Sequence, residues 1–336
     1  MCYAVINREV SVSVLGSSNA DLLTVGAAYA RDVHALCNDV AAMTFPTAIS
    51  SPTDELISAV KAKLVAVVFD VEDRLHKGAA RTVTGLPATW PLLAQSGFLR
   101  EPDLIDFMLA RVAEDRLSSK IESTPPFVAK LLDHADIGVA EAAQALLAAE
   151  SLHRHVRGMS YKALRPELLH QLCWRVVAAF EVAGGARDAN IQENARSLLA
   201  EYDESQTVQP ASRKLAHFLG AEGVTDLLDP EKSGLHLYAA LLASNLDIDH
   251  DQVLRLMDSS SIAPLSVMLC AVGNSFDQAL ATIYMLKGFS LTPNDVAMFN
   301  SGFPSLKQEL AAEEIRRWAV NRAQFLMSQQ AKSIYA

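Results

Sequence analysis

The sequence predicts an all-α protein, an irregular HEAT-like helical-repeat array of stacked antiparallel helix pairs, and three observations carry that reading. Apolar residues recur at three- and four-residue steps almost throughout, a period that draws one stripe along a helix. Helix-start punctuation returns at short intervals. Period-two alternation is confined to Val10-Ser11-Val12-Ser13-Val14, and one strand makes no sheet.

Taken in order, residues 1–18 read as an N-terminal tail or short strand, and a helix over roughly 20–42 opens a first helical-repeat lobe spanning 19–202. From Ser51 to about His76, the residues Leu56, Val60, Leu64, Val67, Val68, Val71 and Leu75 form one face. Ser51 is the expected cap, Pro52 sits where no amide partner is needed, and Asp54 and Glu55 suit the positive end of the dipole. Pro91-Leu92-Leu93 with Leu104, Ile105, Met108 and Val112 gives a degenerate helix pair.

The clearest pair runs from Phe127 to Ala149. Phe127, Val128, Leu131 and Leu132 form its first helix, Asp133 to Asp136 the turn, and Val139, Ala142, Ala143, Leu146 and Leu147 the second. Its alanines allow close backbone approach, and it matches a shortened form of the HEAT unit of ~40–47 residues. Helices near 165–183 and 190–202 close the lobe, the polar stretch 203–212 reads as a linker, and 213–336 as a C-terminal helical lobe. In that lobe Asp249 with Gln252, and Thr292-Pro293 with Asp295, mark starts. The final stripe, with Ile315, Trp318, Arg322 and Phe325, either caps the stack or packs on a second copy as a homodimer.

Composition bounds the function. The 336 residues carry 29 basic and 39 acidic side chains, a net charge of −10, with a mean hydropathy of +0.15. Apolar runs such as Leu64 to Phe69 fall far short of the ~20 residues that span a membrane, so no membrane insertion is expected. Met1 to Gly16 lacks a basic cluster followed by an apolar stretch, which makes the cytoplasm the expected compartment. Cys2, Cys37, Cys173 and Cys270 suit reduced thiols there.

Three stretches together resemble one family. They are Leu92 to Leu99 with Asp103-Leu104-Ile105; Arg165-Pro166-Glu167-Leu168-Leu169 through Trp174-Arg175-Val176-Val177; and Leu237 to Leu242 through Val253 to Met257 and on to Ile283. In order and spacing they resemble the bacterial family catalogued as domain of unknown function 2336, over roughly Leu86 to Leu286. The resemblance implies an all-helical, HEAT-like fold and brings no catalytic motif, ligand or cofactor with it.

No chemistry-bearing signature stands out. Asp247-Ile248-Asp249-His250-Asp251 begins like a calcium loop but lacks its glycine and its closing glutamate, so Asp249 reads as a helix cap. His153 and His155 flank Arg154, with neither a Cys-x-x-Cys pair nor a His-Glu-x-x-His helix, so no metal site and no cofactor is expected. Cys37 with His34, and Cys173 with His170, are spaced to meet on a helix turn, yet both cysteines lie in apolar stripes. Gly-x-Ser-x-Gly elbows and phosphate loops are missing from the sequence, so no catalytic residue is assigned.

Charge is the remaining signal. From Ser151 to Arg175 the chain holds Arg154, Arg157, Lys162, Arg165 and Arg175 against Glu167 alone. The expected function is therefore a non-catalytic protein-protein interaction scaffold or regulator, binding an acidic or phosphorylated partner through Arg154, Arg157, Lys162 and Arg165. Nucleic acid fits less well, because the net charge opposes a polyanion and no aromatic ladder is present. The alternative is an enzyme or small-molecule sensor with a pocket between helices, using His170, Cys173 or Tyr161.

Overall fold

A computed structural model describes residues 22–27, 29, 53–76, 82–83, 85–121, 126–155, 159–184, 189–220 and 228–320. The fold is all-α, because stripes of period 3.6 bury only when helices turn them toward one another. Helical residues 22–27 form α1, followed by α2 (Asp54–Leu75). A two-residue antiparallel pair, β1 (Thr82–Val83) and β2 (Leu86–Pro87), precedes α3 (Trp90–Gln95) and α4 (Pro102–Ser118). Then come α5 (Pro126–Lys130), α6 (Ile137–His155), α7 (Pro166–Gly184), α8 (Ala189–Glu201) and α9 (Val208–Leu219). The chain continues through α10 (Pro230–Leu246), α11 (His250–Asp258), α12 (Ala263–Ala271), α13 (Phe276–Lys287), α14 (Pro293–Gly302) and α15 over 308–320. Among these helices none is long and apolar enough to cross a membrane. The tail at 1–18, with the alternating stretch at 10–14, lies outside the described residues.

Capping chemistry sets several starts. Thr53, two residues beyond the expected Ser51, caps α2 by accepting from the Leu56 amide at 3.3 Å. Asp249 accepts from the Asp251 and Gln252 amides, which makes the aspartate-rich stretch a cap. Thr292 and Asp295 form a capping box with Pro293 at the first position, and Ser275 with Gln278 forms another. The stretch read as a linker at 203–212 is already helical from Val208, since Pro210 falls in the first turn of α9, where its missing amide has no partner to lose.

Two clusters of buried side chains meet along α4. One gathers α2, α3, α7 and α8 around Leu104, Ile105, Phe107, Met108 and Val112. The other takes Ala113 and Leu117 from the far end of α4 and joins α5 and α6 to α9 through α15. The unit from Phe127 to Ala149, which precedes the expected linker, thus shares its core with residues beyond it. Within that unit Val128, Leu131, Val139, Ala142, Ala143 and Leu146 are buried, whereas Leu132 turns to solvent.

The last described helix packs on the first. Ile315 and Trp318 on α15 are each 1 % exposed. At Gly26 of α1 an added Cβ would lie 3.3 Å from the Trp318 ring and 3.2 Å from Val267. This corrects the self-association alternative for these two residues, whose stripe is covered by the chain's own helices. Arg322 and Phe325 lie outside the described residues.

Candidate functional site

The site is built on α4, which is buried on nearly every side from Leu104 to Glu114 and yet carries Asp106, Arg111 and Glu114. A buried charge persists only if it is paired, and each of these is. Asp106 meets Arg255 of α11. Arg111 reaches Glu114 Oε2 through Nη1 at 2.6 Å and Asp251 Oδ1 through Nη2. Arg165, just before α7, holds the second oxygen of Asp251 at 2.6 Å. Both guanidinium groups lie against the Phe107 ring, at 5.1 and 5.4 Å from its centre. Burial disfavours the Asp251 carboxylate, but Arg111, His250 and Arg165 outweigh it and hold the group well below its ordinary value.

The cluster continues through two histidines. His236 donates or accepts at both nitrogens, with Nε2 2.8 Å from Glu114 Oε1 and Nδ1 3.0 Å from Glu150 Oε1. A glycine makes that position reachable. Gly234 has φ 74° and breaks the first turn of α10, a backbone shape that a Cβ would strain, and the chain re-enters the helix with His236 facing α4 and α6. Burial acts against charge on His236, but its hydrogen bonds to the Glu114 and Glu150 carboxylates prevail and push it up to about 9. His153, on the last turns of α6, points Nε2 at the same Glu114 oxygen from 3.3 Å. Burial holds His153 below its ordinary value. Among the described residues Glu114, His153 and His236 are the group whose donor atoms converge as metal ligands would, all within 4.8 Å of one another.

This charged cluster floors a cleft of about 560 Å³. Arg111, Glu114, Glu150, His153 and His236 meet it from below. The segment from Ser160 to Arg165 forms one wall, and Tyr202, Gln206 and Pro210 line another. Asp70 fixes the first wall by accepting from the Ser160 hydroxyl at 2.7 Å and the Tyr161 amide at 2.9 Å. Tyr202 spans the two walls, donating to the Leu164 carbonyl at 2.5 Å. A concave space with convergent polar groups and shifted titrations is the physical profile of a ligand site.

The basic residues expected to meet a partner fall differently. Arg165 is half-buried at the cleft, and its guanidinium is paired with buried Asp251 rather than free for a partner. Lys162 is exposed at the cleft. Arg157 and the Arg154 side chain lie outside the described residues. Of the residues named for a pocket between helices, Tyr161 lines this cleft. His170 and Cys173 do not meet, because His170 is exposed and accepts from the Trp174 indole at 3.2 Å while Cys173 is buried in the first cluster.

Burial pushes the Cys173 and Cys270 thiols up to about 11. Because the thiolate is the reactive form, both are expected to stay unlabelled by a maleimide at pH 7 in the native chain and to label fully in urea, read residue by residue by mass spectrometry. Native labelling of Cys173 on the timescale of a free thiol would revive it as a nucleophile.

Glu114, Glu150, His236 and Arg111 belong to no motif, and Asp251 enters the sequence reading only as the last residue of the calcium-like stretch. Their one sequence signal is a charged or titratable side chain within an apolar run, as at Val112-Ala113-Glu114, Ala148-Ala149-Glu150 and Leu235-His236-Leu237. No protein-family model matches the sequence, and no curated protein or solved structure gives a significant match.

Proposed function

We propose that the chain is a cytoplasmic helical sensor or regulator that binds a small polar molecule in the cleft. The observation behind this reading is the paired, buried charge cluster on the cleft floor: Arg111, Glu114, Glu150 and His236 cost desolvation that apolar residues would avoid, and they are directed toward a cavity large enough for a metabolite. Ligand contacts on α4, α6 and α10 would tie both side-chain clusters together and so bias how the lobes stand.

The test is thermal unfolding of the full chain against a panel of small polar metabolites in chelator-treated buffer. A ligand at 100 times its Kd is expected to stabilise by about 2.7 kcal/mol and so raise Tm in a concentration-dependent way. Ser118→Trp, an exposed change at the cleft, should leave the unliganded Tm nearly unaltered and abolish the shift. A flat response across the panel, or one untouched by Ser118→Trp, counts against the cleft.

A second reading keeps the interaction scaffold with a HEAT-like stack of the domain of unknown function 2336 type. What favours it is an apolar patch: Ile137 is 73 % exposed, and the exposed Phe218 ring lies against the neighbouring Gly138. A partner protein would cover these side chains, with Lys162 as the described remnant of the basic contact set.

A further inference from the structure

We propose that Glu114, His153 and His236 hold one divalent first-row transition-metal ion whose remaining coordination positions open into the cleft. The inference rests on the cleft being a binding site and names the chemistry at its floor.

Geometry is the first argument. His236 Nε2 and His153 Nε2 converge on a single atom, Glu114 Oε1, from 2.8 and 3.3 Å. With metal bonds of roughly 2.0–2.2 Å, donors sharing one ion stand about 3.0–3.5 Å apart, so small side-chain adjustments would admit the ion. A proton can serve one such edge, between His236 and Glu114. An ion serves all three donors at once.

The surroundings of the three donors are those of metal ligands. Glu150 Oε1 lies 3.0 Å from His236 Nδ1 and would keep the proton on that nitrogen, while the ion takes the place of the proton between Nε2 and Glu114; a carboxylate behind a ligating histidine does this commonly. Arg111 Nη1 occupies Glu114 Oε2, so the carboxylate offers Oε1 alone, and the guanidinium charge is itself balanced by Asp251. The donors stand on three different helices, α4, α6 and α10, each anchored in the core, so their separation is set by packing rather than by loops.

The donor set also selects the ion. Two imidazoles with one carboxylate suit zinc, iron, cobalt or nickel, whereas magnesium and calcium prefer all-oxygen shells. Three protein ligands leave at least one position for water or for an oxygen of a cleft ligand.

The experiment titrates the metal-stripped full chain with Co2+, read by its visible absorption, and repeats this with Zn2+ by competition. One equivalent per chain is expected, with Mg2+ failing to compete. His153→Ala, at a half-buried position that folding tolerates, should weaken Co2+ binding at least tenfold, and Glu150→Gln should weaken it about 10–100-fold through the positioning of His236. Absence of Co2+ uptake by the wild-type chain overturns the proposal. So does equal binding by His153→Ala, which would put the ion elsewhere. A chain that refuses Co2+ yet is stabilised by an organic ligand in chelator loses the metal site and keeps the cleft.

Discussion

Arg111→Met is expected to destabilise the chain by about 3–5 kcal/mol, the cost of breaking a buried ion pair from one side. Methionine fills much of the volume of arginine, so the loss is electrostatic rather than a cavity. Arg111 is 6 % exposed, and its removal strips one guanidinium from two buried carboxylates, Glu114 and Asp251. Each has a remaining partner, His236 for Glu114 and Arg165 for Asp251, which keeps the expected cost inside that range. Urea unfolding of the variant gives the measurement. The double variant Arg111→Met with Asp251→Asn should lose less than the sum of the single changes, because the second removes a charge that the first left unpaired. A loss under about 1 kcal/mol would mean that water reaches these carboxylates and that the cluster is not the sealed floor described above.

Trp318→Ala should cost a similar ~3–5 kcal/mol, here through a cavity. The indole is 1 % exposed and packs on Gly26 of α1, which also faces Val267, with its Nε1 donating to Glu314 Oε1 at 2.9 Å. Nothing nearby can collapse into the space without moving α1 or α12. Trp318→Phe should recover part of the loss, since the phenyl ring refills most of the contact and only the indole bond is given up. Urea denaturation with sedimentation at several concentrations separates two roles for α15. A large loss that does not depend on protein concentration marks the helix as a cover for its own core. A small loss with a shift from dimer to monomer would mean that α15 serves a partner copy instead.

Much of the local structure is legible in the residues, and the reason is that caps and stripes act over one or two turns. Asp249 and Thr292 cap because their side chains reach amides two or three residues on, and no distant group need be known. The buried face of α2, with Val60, Leu64, Val67, Val68, Val71 and Leu75, follows from spacing alone. Glu72 shows where such reasoning ends. It lies on that helix as an acid and is wholly buried, because its carboxylate accepts from the Ala88 amide at 3.0 Å and the Thr89 amide at 2.7 Å, and so anchors the turn into α3. The partners are a loop away, and neither residue advertises the bond.

What the sequence by itself determined is the helical class, several helix starts and the apolar side of helices such as α2, all of which depend on neighbours within a few residues. Only the tertiary structure decided which polar residues share a site. Glu114 and His236 are separated by 122 residues and Arg111 and Asp251 by 140, so no spacing rule links them. Helix packing brings them to one point, and burial there compels each charge to find a counter-charge. The same packing turned Arg165 from an apparent free surface cation into the half-buried partner of Asp251, for a side chain's sequence neighbours do not say which distant carboxylate it will meet.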